Sequence, residues 1–595
     1  MTPERPAFST LPHELVEEIL IACVANNDAP SVAAIAATSR RLYSIVYHTS
    51  DHHLWRSLFL TMFDDPRELD RRPALEPDWQ KDLQDRAWAN RFFTQCVQPI
   101  RTQHARSSQP AVCHIHPPPI TNQSDHLRAL EALVSAIQSA CPDLSPRPTV
   151  FPAHTQTQLA PGQLINSAQL QTDLSGLWPR NITPSRPSLN VAWLRQTLSN
   201  GLPASLTTRI SLDTIEDDDD WPETPEGLAA GQIISHLGFI PIPTVESEVE
   251  PQADPVAPPA AGSDLISTGK DIDLRLAIED MTVDMQRKRA HWHARQRVFN
   301  FDYLSRRRRW GPYLPVHSQK TRFGLPVGPT EYAEDSDSDD PDWVPGTNRP
   351  RAARVPPAKL LRPDWSWLAA ARVVAESTLL VERRGDGLEI IGAWDNVRGG
   401  TWLPSSADCS PVEGSDNNAG ASAVRGVEGR NEKPFERDWA GVEGVWRRLV
   451  CWLGYDDLVY HHQNGKYDDP ELEEVYIISP LSLRITGYSP SPIAAYPDRP
   501  TLHVEGETGG EGWDGNVYLG VHTVRRVHGT VSALADGGVR WSFNSMNEDN
   551  TADQWASELV QLGGVGSAMG ALGMWTGADH EDDDPLGVIW QWRVG

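Results

Sequence analysis

The chain is poor in cysteine, in long apolar runs and in positive charge, and each shortage removes a class of function. Its six cysteines, Cys23, Cys96, Cys113, Cys141, Cys409 and Cys451, form no CxxC pair. That argues against a zinc finger, a RING or a disulfide framework. No apolar stretch approaches the ~18 residues that a membrane-spanning helix needs, and Met1–Thr10 has no hydrophobic signal core. The expectation is an intracellular protein, cytoplasmic, nuclear or both, with no membrane partner. A formal charge of −27 argues against nucleic acid as a general partner. Catalytic signatures are missing too: there is no G-x-S-x-G, no P-loop and no papain-type cysteine environment.

Three stretches have the right residue types for chemistry but the wrong surroundings. Cys113-His114-Ile115-His116 runs straight into three prolines and has no second cluster. His580-Glu581 with Asp582–Asp584 lacks a second histidine at helical spacing, so it reads as a solvated acidic loop. Gly563–Gly570 contains G-x-G-x-x-x-G, but the chain ends before a βαβ crossover of ~30 residues could be completed. It reads as a close-packed bend. No metal, no cofactor and no enzymatic activity are expected.

What is present begins with Leu11-Pro12-His13-Glu14-Leu15-Val16-Glu17-Glu18-Ile19-Leu20. Proline is tolerated in the first helical turn. Leu15 with Ile19, and Val16 with Leu20, lie four apart and make an apolar stripe. Asp28 and Pro30 start a second helix with Val32 and Ile35 on one face. Thr38-Ser39-Arg40-Arg41-Leu42 leads into a third carrying Leu42, Ile45 and Val46, and Leu54–Phe59 forms a fourth piece. The L-P-x-E-L-x-x-x-I-L opening, the S-R-R-L-Y segment and the closing L-W resemble an F-box over residues 8–60. The resemblance implies a small helical module that docks onto the adaptor subunit of SCF-type cullin–RING ubiquitin ligases. It implies Leu11, Pro12, Leu15, Ile19, Leu20, Ile35, Leu42, Ile45 and Trp55 as the adaptor-binding residues. A module of ~50 residues buries too little surface to be robust alone, and spare apolar side chains on it suit a helix-in-groove contact.

Apolar residues make up 39% of the chain and prolines (49) outnumber glycines (43), which predicts folded modules separated by disordered tracts. Residues 1–97 comprise the F-box-like segment and a bracing helix from Pro77 to Phe93, with Trp79, Leu83 and Ala87 along a face. Residues 98–270 read as mostly disordered linker, with a helix near 125–140 carrying Leu127, Leu130, Leu133, Val134 and Ile137. Short ordered patches are expected near Trp193 and Ile233–Ile240, yet residues ~142–265 are expected to be dispensable for folding. Residues 271–313 form a basic helix and entry segment. Arg287-Lys288-Arg289 and Arg306–Arg309 there read as a nuclear import signal, as a charged helix face, or as a basic strip that neutralises neighbouring acidic segments. Residues 314–360 read as an acidic disordered insertion.

Residues 361–595 read as β-rich, with a flexible insertion near 404–436. Ser377–Glu382 and Leu388–Trp394 look like a hairpin joined by Arg-Arg-Gly-Asp-Gly. Further strands are expected at Val445–Tyr460, Glu474–Tyr488, Leu502–Glu505, Val517–Val524 and Gly529–Leu534. Past the Ala535–Gly538 turn, Val539, Trp541 and Phe543 alternate with Arg540 and Ser542, and Val588, Trp590, Trp592 and Val594 alternate at the end. Nine or ten strands without intervening helices favour an antiparallel barrel or sandwich. The fold class is therefore α+β multidomain: an F-box helical bundle, long disordered linkers and a barrel-like or sandwich domain. Fourteen of the 22 tryptophans lie beyond residue 342, a density that calls for one shared core.

His528–Val531, Asp536–Trp541, Trp555–Gly564, Gly570–Thr576 and His580–Gly587 resemble the carboxyl-terminal domain of fungal, mainly mushroom-type, F-box proteins. More distantly, an F-box followed by a β-domain is similar to F-box proteins whose barrel captures substrates. These resemblances imply a non-catalytic substrate receptor of an SCF ubiquitin ligase, which binds adaptor and cullin at one end and a target protein at the other. Two alternatives stand beside it: a small-molecule-binding barrel tied to an F-box, and a scaffold that uses no cullin. The β-domain's candidate contact residues are Arg540, Trp541, Trp575 and His580. Alternation does not say whether Arg540 or Trp541 faces a cavity.

Overall fold

The computed structural model describes residues 11–26, 29–48, 52–66, 77–96, 123–140, 188–202 except 200, 224–238, 288–301 except 289, 312–315, 319–320, 326–327, 358–381, 390, 437–508 except 468, 470 and 471, and 524–594 except 580 and 582. Helices α1 (His13–Ala25), α2 (Pro30–Thr38), α3 (Arg40–Tyr47) and α4 (His53–Met62) follow the sequence pattern. Ser39 is extended and separates α2 from α3; its hydroxyl accepts the Leu42 N–H and so caps α3. Val16, Leu20 and Val24 of α1 meet Leu42, Ile45, Val46, Leu54, Leu58 and Phe59 in one core. The Trp55 indole donates to the Val46 carbonyl at 2.7 Å, which satisfies a buried polar group.

Helix α5 (Trp79–Cys96) buries Trp79 and Leu83 as expected, but Ala87 is exposed and the buried position is taken by Arg86. α6 (Gln123–Gln138) docks on α5. The two patches expected near Trp193 and Ile233 are the helices α7 (Leu189–Thr197) and α8 (Pro225–Leu237). Both belong to the helical core, so the expectation that residues ~142–265 are dispensable is corrected for these segments. The reason is polar as much as apolar. Asn190, fully buried, accepts from Arg86 Nη1 (3.0 Å) and from the Asp64 N–H (3.1 Å), and donates to the Ala136 carbonyl (3.0 Å). The rest of that stretch, the Cys113–His116 segment, Arg287, Arg289 and Arg306–Arg309, and the 404–436 insertion lie outside the described residues.

Four short strands, β1 (Tyr313–Pro315), β2 (Gln319–Lys320), β3 (Pro326–Val327) and β4 (Leu361–Pro363), follow, and β1 pairs with β4. These four strands border or lie within the stretch expected to be a disordered insertion. α9 (Trp365–Val381) replaces the expected hairpin's first strand; its supposed partner lies outside the described residues except Ile390. α9 is apolar around most of its circumference because Ala369 joins the N-terminal core while Trp367, Leu368, Ala371 and Val374 join the barrel side. A helix buried on all sides loses its readable period.

Eight strands then close a barrel: β5 (Gly444–Trp452), β6 (Val475–Ser489), β7 (Thr501–Thr508), β8 (Arg525–Ala533), β9 (Val539–Met546), β10 (Asp553–Gln561), β11 (Ala571–Gly577) and β12 (Leu586–Arg593). Each pairs antiparallel with its sequence neighbours, and β12 returns to β5 in the register Gln591↔Arg448. The closed ring decides between barrel and sandwich. One expectation fails within it: Val445–Tyr460 is not one strand, because Gly454 starts helix α10 (Tyr455–Asn464) after β5. Asp456 and Asp457 in its first turn and Gly465 in the left-handed region at its end are ordinary helix signals. Most of Val517–Val524 lies outside the described residues.

Two outcomes follow from the buried polar groups. Asn190→Ala leaves Arg86, the Asp64 N–H and the Ala136 carbonyl short of partners, and should cost about 2–4 kcal/mol, read as a lower urea midpoint. His236 is held down to about 3 by burial and then by the charge of Arg372, and its Nδ1 accepts the Gly563 N–H at 2.8 Å. The unfolded chain takes up that proton near pH 6.5 and the folded chain does not, so stability falls as pH drops through that window, by about 1.4 kcal/mol per unit. Thermal midpoints recorded from pH 7 to 5 should flatten in His236→Asn.

Candidate functional site

Two regions present side chains that the core does not consume. The first is the start of the helical module. Leu15 is 51% exposed and Tyr43 47% exposed, Pro12 is exposed, and Leu11, Ile19 and Ile35 are half-buried. Arg41 donates to the Leu11 carbonyl at 2.6 Å, which holds the start of α3 beside the Leu-Pro start of α1. The remaining residues of the expected adaptor set, Leu20, Leu42, Ile45 and Trp55, are core residues with at most 8% exposure. That is a correction: on α1 the stripe through Val16 and Leu20 turns inward, and the neighbouring stripe through Leu15 and Ile19 is the available one.

The second region is the barrel lumen. Side chains of one parity point inward on every strand: Trp446, Leu481, Leu483, Leu502, Val504, Val527, Val531, Trp541, Phe543 and Leu559 form the inner core. Trp446 on β5 and Trp541 on β9 stack edge to face, 5.1 Å between centroids. β5 and β9 are four strands apart in either direction round the ring, so this contact crosses the lumen. It fills the end at which Trp439, Ala440 and Val442 enter, with the Trp439 indole donating to the Pro500 carbonyl at 2.7 Å.

The opposite end is lined differently. The register row Trp452↔Gly587↔Trp575 places both indoles on the inner face, because paired residues share a face and Trp452 has the parity of Trp446. A Cβ on Gly587 would stand 2.7 Å from Trp575 Nε1, so glycine there makes room for the ring. Trp555, paired with the inward Ser545, lies 5.2 Å from Trp575, and Trp452 lies 6.4 Å from it on the other side. All three tryptophans, with Val450 and Ile477, are half-buried, in contrast to the fully buried residues at the filled end. This end is therefore a mouth with aromatic walls.

Below the mouth lies a polar floor. Arg448 has the same inward parity as Trp446 and Val450 and is 4% exposed. Its Nη1 donates to Ser545 Oγ and its Nη2 to Gln591 Oε1, both at 3.4 Å. Ser479, its register partner on β6, is buried as well. Burial alone lowers the Arg448 pKa to about 10, with no acid opposing the effect.

Of the residues singled out in the sequence, Trp575 lies at this mouth. Trp541 is inside the lumen but fully buried against Trp446, at the filled end. His580 lies outside the described residues. Arg540 is a correction. It points to the outside of the barrel, where β1 covers it, and is 4% exposed. Its Nε and Nη2 donate to Glu558 at 2.9 and 2.7 Å, Ser542 donates to the same carboxylate at 2.8 Å, and the Tyr313 ring covers the guanidinium at 5.3 Å. Burial opposes its charge, but Glu558 outweighs burial and holds the pKa above the ordinary value. Among the described residues no group of three or more His, Cys, Asp or Glu side chains is placed to hold a metal, and no helix is long and apolar enough to cross a membrane.

Because Arg540 completes a buried pair, Arg540→Ala should act on stability. The expected loss is about 3–5 kcal/mol from the abandoned Glu558 carboxylate, and Arg540→Met with Glu558→Leu should recover most of it in chemical denaturation. No protein-family model, no curated protein and no solved structure matches this chain.

Proposed function

We propose that this protein is a non-catalytic substrate receptor that joins a target to an SCF-type ubiquitin ligase. Helices α1–α4 dock on the ligase adaptor, and through it on the cullin, while the barrel mouth takes the target. The observation that carries this reading is the exposed Leu15 on a helical module built in F-box order. Arg41 of the S-R-R-L-Y segment there binds the Leu11 carbonyl of the Leu-Pro opening. A large apolar side chain left half in water at the start of an amphipathic helix suits an apolar groove on a partner. The filled end of the barrel leaves the mouth around Trp452, Trp555 and Trp575 as the place for recognition. Such a receptor works in the cytoplasm or nucleus, where cullin ligases act.

The test is capture of adaptor and cullin by the full chain. Leu15→Asp places a charge at the groove and should lower adaptor recovery by about 30-fold or more, for a cost of at least ~2 kcal/mol. Its circular dichroism should be unchanged, since Leu15 is outside the core. Leu20→Asp, a core substitution, serves as the unfolding control. Full adaptor binding by a folded Leu15→Asp protein would overturn the assignment of this face. Adaptor recovered without any cullin would identify a scaffold instead.

A further inference from the structure

Buried arginines are common in this fold, and although the Nε of Arg86 is likewise buried without an acceptor, Arg448 is set apart among the described residues by having neither a carboxylate nor an aromatic ring against it. Arg540 pairs with Glu558, Arg295 with Glu474 at 2.6 Å, and Arg372 with Glu376 at 3.3 Å while lying over the Trp590 ring at 4.2 Å. Arg86 lies over Phe59 and Phe63 at 4.8 and 4.4 Å and is hydrogen-bonded to Asn190 and Ser139. Arg448 pairs with no carboxylate among the described residues. Its two hydrogen bonds are long, and both its Nε and the Nε2 of Gln591 are buried without an acceptor. The bond from β5 to Ser545 on β9 spans the ring as the Trp446–Trp541 contact does, so the guanidinium stretches across the lumen. Donors left over on Arg448 and Gln591 therefore occur together in the water-excluded floor beneath the mouth.

We propose that the lumen binds a carboxylate with an apolar or aromatic body. The carboxylate pairs with Arg448 and Gln591, and the body lies against the contiguous ring cluster of Trp452, Trp575 and Trp555. An acceptor-only anion uses the donors that the protein leaves open, and a guanidinium binds a planar carboxylate through two parallel N–H bonds. One cation in the floor suits a singly charged group rather than a phosphate dianion. The interior of an eight-stranded barrel is filled by side chains or holds at most one small ligand, which limits the guest to a free organic acid or the terminal carboxylate of an extended chain. This deepens the reading of the barrel as the binding module and is independent of the helices.

The experiment is calorimetry and tryptophan fluorescence on the full chain without adaptor. The probes are 3-phenylpropionate, octanoate and the tripeptide Gly-Gly-Phe, each beside its methyl ester. At least one acid should bind and change the fluorescence, with its ester about 30-fold weaker or worse. Binding by the small acids alone assigns a free acid, and by the tripeptide alone a chain end. Arg448→Met should lose acid binding while its thermal midpoint stays level or rises, because an uncompensated buried charge is removed. Arg448→Lys should retain part of the binding. The proposal is overturned if no acid binds at 10 mM, if acid and ester bind alike, or if folded Arg448→Met binds acid as the wild type does. The acid–ester comparison needs no variant, and none of these outcomes bears on adaptor capture.

Discussion

The close approach of α8 to α9 at Gly231 is the contact on which the two halves of the molecule depend. A Cβ at this position would stand 2.8 Å from the Trp365 carbonyl oxygen and 2.9 Å from its carbon, so the helices can meet here only through glycine. From this contact α8 sends Ala230, Ile233 and Leu237 into the helical core, while α9 sends Trp367, Leu368 and Val374 against the outside of the barrel. His236, five residues further along α8, reaches the barrel directly by accepting the Gly563 N–H. Gly238, with φ of 78°, then lets the chain leave beside Arg372 and Glu376 where a side chain would collide. The exposed face of α1 and the barrel mouth are thus two features of one packed body.

That body explains which parts of the chain were legible. α1–α4 could be read because each carries a 3.6-residue apolar period, with a proline or capping signal at the start of α1, α2 and α3. β9 and β12 could be read because Val539, Trp541 and Phe543, or Val588, Trp590 and Trp592, recur at every second position. α7 and α8 could be placed but not weighed: they are short, flanked by Pro- and Ser-rich chain, and their importance rests on Asn190 and Gly231, which carry no apolar signal. α9 was misread because it is buried on both sides.

The site was legible only at Trp575, for a related reason. Alternation separates the two faces of a strand but does not say which is inside. In an isolated barrel the outer face meets water, and a charged residue between apolar ones points out. Here the outside is itself buried, under β1 with Tyr313 at one place and under α9 at another. Arg540 could therefore face outward and still be closed off in an ion pair. In β5 both faces are apolar, Arg447 being in phase with Val445, Leu449 and Cys451 and Arg448 with Trp446, Val450 and Trp452, so only the closed ring shows that Arg448 is the interior one.

The energetics of that position give the lumen its character. At the filled end, Trp446 and Trp541 meet across the ring, and the Trp446 indole donates to the Val442 carbonyl at 2.8 Å. One step along β5, the same lumen contains a guanidinium whose desolvation is offset only by two long hydrogen bonds. A methionine, unbranched and apolar, would fill much of the space without that cost. Sequences that depart from the cheapest local choice do so chiefly where a site needs the group, and the departure here sits under three half-buried tryptophans rather than at random in the core. Filled core at one end and unsatisfied donors beneath aromatic walls at the other divide a single barrel into a part that holds the fold and a part that is free to recognise.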